Sequence, residues 1–159
     1  MNRFHRLAIV LAGSLLIAAN SSAQQDPAHS MSPGIGQDTR QEVVFPPLVK
    51  RQTLATMRMH LQGLGEIQQA LADGHFEAAG HIATMNLGMS SMHGNQMAED
   101  AKYMPKGMMQ LGALMHQRAG EFTVTAQNAA VSGDIQQPLR ALSLVTQTCV
   151  ACHAAYRLR

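Results

Sequence analysis

The chain has 159 residues, enough for one domain and too few for an enzyme with separate cofactor and substrate domains. Twelve basic against 10 acidic side chains give a net charge of +2, no excess for gripping a phosphate backbone, which argues against a nucleic-acid partner. Two Cys exclude a multi-disulfide framework, and few charges with many Ala, Leu, Met and Gln predict an all-α protein.

The first 23 residues have the layout of an export signal. Arg3 and Arg6 are followed by a short apolar run over 7–19 and by the small residues Ser21, Ser22 and Ala23. That run is too short to cross ~30 Å of hydrocarbon comfortably. Cleavage after Ala23 removes both arginines and leaves a chain with balanced charge, expected in the periplasm and without stable membrane insertion. Residues 24–45 contain Pro27, Pro33, Gly34 and Gly36 among polar neighbours and have no apolar period. They are expected to form a flexible lead-in to a domain spanning 46–159.

From Leu48 a long helical pattern carries Leu54, Met57, Leu61, Leu64, Gln68 and Leu71 at spacings of three and four, and Asp73-Gly74 ends it. A second helix is expected from Phe76 to about Ser90, with Ala78, Ile82, Met85 and Met89 on one face. A polar connection containing His and Met follows. Pro105 suits a first helical turn, after which Met108, Leu111, Met115, Ala119, Phe122 and Ala126 make a third stripe. Ser132-Gly133-Asp134 breaks that helix and offers an N-cap for a fourth. The fourth stripe holds Leu139, Leu142, Val145, Cys149, Cys152 and Tyr156, and is expected to run to the end of the chain. Four helices with mostly short turns predict an antiparallel up-and-down four-helix bundle, two of its helices ~37 Å long.

The chemistry is concentrated in Cys149-Val150-Ala151-Cys152-His153, the C-x-x-C-H pattern of covalent haem c attachment. Two thiols one helical turn apart can add to the two vinyl groups on one porphyrin edge, and the adjacent imidazole supplies an axial nitrogen to iron. Other roles for the cysteines fit less well. No strand precedes Cys149, as a thioredoxin-like dithiol requires. A zinc site usually needs four ligands, often from two such pairs. A disulfide across one helical turn would be poorly shaped and would constrain almost nothing.

A four-helix pattern with C-x-x-C-H in its last helix and Tyr156-Arg157 just after it resembles the cytochrome c prime family. The resemblance implies thioether bonds at Cys149 and Cys152, His153 as proximal iron ligand, and Arg157 near the proximal face or a propionate. A solvated C-terminal cation is the other role open to Arg157. The resemblance also implies a sixth-position residue on the first helix, where Met57, Met59 and His60 stand, and a possible homodimer through the first two helices.

Helix geometry separates these three. Met57 lies on the stripe with Leu54, Leu61 and Leu64, Met59 is about 200° away, and His60 is about 60° off the seam. Met57 is therefore the expected ligand and His60 the next candidate, with core filling as the alternative role for Met57. The function expected is a non-enzymatic electron carrier exchanging single electrons with a redox partner protein. A five-coordinate NO- or CO-binding cytochrome is the alternative. A less favoured one is Cu(I) binding by Met89, Met92, His93 and Met97, since soft thioethers suit that ion. Methionines 85, 89 and 108 are expected instead to pack around the porphyrin.

Overall fold

The computed structural model describes residues 38–89 and 100–159. The expected signal at 1–23, the first part of the lead-in, and Met92, His93 and Met97 lie outside the described residues. Among the described residues the protein is mostly helical. Helix α1 spans Pro47–Ala72, α2 Phe76–Asn86, α3 Lys106–Ser132 and α4 Gln136–Ala155. None of these helices is long and apolar enough to cross a membrane.

The helix ends follow local chemistry. Pro46 precedes α1 with Pro47 in its first turn, where a missing N–H costs nothing. Gly74 and Gly133 close α1 and α3 with φ of 74° and 75°, a left-handed conformation that Gly adopts without a Cβ penalty. The Asp134 carboxylate accepts the Gln136 N–H at 2.9 Å, satisfying an otherwise orphaned donor at the start of α4.

The chain then departs from an all-helical plan. Helix α4 stops at Ala155, and Tyr156–Leu158 forms a strand, β2, that pairs in parallel with β1, Gln41–Val43. Gln41 stands opposite Tyr156, and the Arg159 N–H extends the ladder to the Val43 carbonyl at 3.0 Å. The expected lead-in is thus ordered from Asp38, and the domain begins before Pro46. Val43 and Phe45 supply the reason: both are buried, in a small core with Met108, against which Val49, Met57, Cys152, Tyr156 and Leu158 pack. A two-stranded sheet is marginal alone, and this one rests on that core.

The main core lies among α1, α2, α3 and α4 and contains Ile67, Leu71, Leu87, Met115, Phe122 and Val145. On α3 the expected stripe is largely buried at Met108, Met115, Ala119, Phe122 and Ala126. On α1 and α2 the buried face is displaced by about one residue. Leu61 is 69% exposed, whereas Ile67 is fully buried together with Gly63 and Ala70. On α2, Ala79, Gly80 and Ala83 are buried, whereas Met85 and Met89 are 55% and 59% exposed. These two methionines therefore do not fill the interior. The physical reason is close helix approach. A Cβ at Gly63 would sit 2.8 Å from the Cβ of Asn86, and one at Gly80 would sit 3.5 Å from the Cβ of Ala126, so α1 meets α2, and α2 meets α3, at a glycine rather than at a leucine. The closely packed helix pairs are α1–α2, α2–α3 and α3–α4; α1 with α4 is not among them.

Candidate functional site

Where α1 and α4 do not pack closely together, a cleft of about 360 Å³ opens beside the small core. That volume is within the range of small-molecule and cofactor pockets. Helix α1 contributes Lys50, Leu54 and Met57, α3 contributes Met108, and α4 contributes Cys152 and His153. Strand β2 adds Tyr156, Arg157 and Leu158, and Arg40 closes the set from the segment before β1.

Most of the expected site residues meet here. Cys152, His153 and Arg157, close together at the end of the chain, line one cleft with Met57 from the distant first helix. Cys149 does not line it; its side chain packs on the main core, with its thiol 3.7 Å from the Val145 carbonyl. No disulfide joins the two cysteines. Burial raises the pKa of Cys149 above its ordinary value, a backbone hydrogen bond opposing in part. Burial also raises Cys152, and charge on Cys149 raises it further, so the two sulfurs sense each other.

The alternatives to Met57 are elsewhere. Met59 is 49% exposed, as its helical phase predicts. His60 faces α3, its ring edge-on to that of His116 with centroids 5.5 Å apart, and it is not part of the cleft lining. His60 is therefore not a second candidate for the same position. Phase alone could not show this, because a residue 60° off a seam can turn to either neighbouring helix.

Charge is gathered at the cleft by an N-terminal residue that sequence reasoning missed. Arg40 Nη1 donates to the His153 carbonyl at 3.3 Å, and Arg40 also forms an ion pair with Asp38 at 2.8 Å. The hydrogen bonds and charge from Arg40 hold the Asp38 carboxyl down at about 2. No signal in the sequence distinguishes Arg40 from any other cation in a polar segment, since its position depends on β1 pairing with β2.

Arg157 is held from the same side, Nη2 reaching Glu42 at 2.6 Å. Its Nε is buried and lies 3.7 Å from Asp38, too far for a hydrogen bond; among the described residues this donor has no acceptor. Arg157 is thus not a freely solvated terminal cation. A buried guanidinium N–H without an acceptor fits a carboxylate-bearing ligand in the cleft.

Taken together, an apolar lining of Leu54, Met57, Met108 and Leu158, a cationic set of Arg40, Lys50 and Arg157, and an adjacent thiol and imidazole suit an apolar disc carrying two carboxylates. These residues fit a haem. Comparison of the chain with protein-family models, with curated proteins and with solved structures returns no match.

Proposed function

We propose that the protein is an exported c-type cytochrome of the cytochrome c prime type, an antiparallel four-helix bundle that carries single electrons to or from a redox partner protein. In this reading Cys149 and Cys152 hold one haem c through thioether bonds, His153 is its proximal ligand, and Met57 is the sixth ligand. The observation that carries the reading is the meeting, in one cleft, of Cys152 and His153 from α4 with Met57 from α1 and the orphaned Arg157 donor.

When bound, the haem supplies a one-electron iron couple whose potential depends on axial ligands, hydrogen bonding and burial. The chain's own residues do the rest. His153 offers an imidazole nitrogen from the end of α4, where Arg40 holds the His153 backbone carbonyl. The Met57 thioether, packed against the small core of Val43, Phe45 and Met108, is a soft and neutral donor that would favour the reduced metal. Arg157 and Lys50 would offset the charge of carboxylates bound in the cleft, and Leu54, Met108 and Leu158 would supply the apolar contact that excludes water.

The visible spectrum, oxidised and reduced, with and without CO, tests the assignment. The native protein is expected to be low-spin and indifferent to CO. Met57→Ala should shift the iron towards high spin and admit CO, whereas Met59→Ala should change little. A native protein that is high-spin and binds CO readily makes Met57 a packing residue and replaces electron transfer with gas binding.

A further inference from the structure

Away from the cleft, three helices meet around two imidazoles. His60 comes from α1 and His116 from α3, and the C-terminal end of α2 supplies the Leu87 carbonyl. The His116 Nδ1 lies 2.7 Å from that carbonyl. A carbonyl only accepts, so Nδ1 carries the proton and the Nε2 lone pair of the neutral ring is left over. A metal-binding imidazole ordinarily donates its other N–H to a carbonyl or carboxylate, which fixes its tautomer and orientation, and His116 has that arrangement.

The partner ring supplies the second observation. His60 makes no hydrogen bond among the described residues, and its ring stands 5.5 Å from that of His116, centroid to centroid, at an interplanar angle of 84°. Two imidazoles at ~2.0–2.1 Å from one tetrahedral ion have centroids about 5.2 Å apart. The observed separation is close to that value. Two apolar side chains would fill the same space without stranding ring nitrogens.

We propose that His60 and His116 bind one divalent transition-metal ion of the zinc and copper(II) class, with water or an external ligand completing its shell. Neutral imidazoles suit these ions, whereas an all-oxygen ion such as Mg²⁺ or Ca²⁺ is disfavoured. The site uses neither the C-x-x-C-H segment nor the methionines beyond Met89, so it stands or falls independently of haem attachment.

Isothermal titration of Zn²⁺ into the full chain should show one site that dominates any weak surface binding. His60→Phe keeps an aromatic ring against His116 and removes the ligand. His116→Gln keeps a donor for the Leu87 carbonyl and removes the ligand. Each should weaken the site by at least about tenfold. Diethyl pyrocarbonate labelling of the native chain gives a reading that needs no variant: Zn²⁺ should protect His60 and His116 while leaving His75 and His81 reactive. No dominant site, equal binding in either variant, or unprotected His60 and His116 at saturating Zn²⁺ would overturn the proposal.

Discussion

Two glycines of one helix, one at a helix contact and one facing outward, should respond to the same substitution with opposite sign. Gly63 and Gly65 are both interior to α1, where replacing Gly by Ala stabilises a helix by about 0.5–1 kcal/mol. At Gly65 an added Cβ meets nothing within 4 Å, so Gly65→Ala should realise that gain in full. At Gly63 the new Cβ falls 2.8 Å from the Cβ of Asn86 and 3.2 Å from its Nδ2. The nearest obstacle is the root of the Asn86 side chain, which cannot swing away without moving α2. Overpacking of this kind costs ~1–3 kcal/mol, so Gly63→Ala should be destabilising by up to about 2 kcal/mol after the helix gain. Urea unfolding, with both variants in the same haem state, should separate their midpoints by roughly 0.5–2 M at unchanged slope. Asn86→Gly in the Gly63→Ala background should recover part of the loss, because it removes the atom struck. If Gly63→Ala is as stabilising as Gly65→Ala, α1 and α2 do not meet at that point, and the displaced buried face assigned to both helices is wrong.

Gly107 gives a similar test at the cleft. A Cβ there would collide with the Tyr156 hydroxyl, so Gly107→Ala should lower stability by about 1–2 kcal/mol and perturb the visible spectrum; Tyr156→Phe in the same chain should restore both, and failure of that rescue would remove the contact from the account. His60 predicts a pH dependence. Its pKa falls from 6.5 to about 4 on folding, chiefly through burial and then through repulsion by His116, so the unfolded chain takes up a proton that the folded chain refuses. In metal-free buffer stability should be complete above about pH 6.5 and decline as the pH falls from there towards 4. The shift corresponds to ~3 kcal/mol at most, discounted to about 1–2 for the ring's solvent contact. Urea midpoints at pH 7.5 and 4.5 should show it, and the same decline in His60→Phe would refute it.

Elements written in residue type were legible in the sequence. The turns at Asp73-Gly74 and Gly133, the stripe on α3, and the outward phase of Met59 follow from local preference and helical period. Met57 lines the cleft with Cys152 and His153, and the sequence pointed to it only through the family resemblance, which implies a residue on the first helix; the helical period then favours Met57 over Met59. The α1 seam was misleading because hydropathy weights Leu61 above Gly63, whereas close packing rewards the residue without a side chain. The β1–β2 pair was invisible for another reason. A three-residue strand has too few positions to show alternation, and its partner lies at the other end of the domain. With that pairing hidden, Arg40 and Glu42 could not be connected to His153 and Arg157. His60 is an intermediate case: its phase was readable, but whether it turned to the cleft or to His116 depended on how α3 packs.

Covalent haem attachment is the central claim, and intact-mass analysis of protein exported from cells able to attach haem tests it most directly. The account predicts a single species with the mass of the chain after removal of residues 1–23 plus one haem. Cys149→Ala and Cys152→Ala should each lose or weaken that addition, and His153→Ala should lose the native spectrum. A native protein with the mass of the bare chain, its two thiols free to alkylation, would contradict the account.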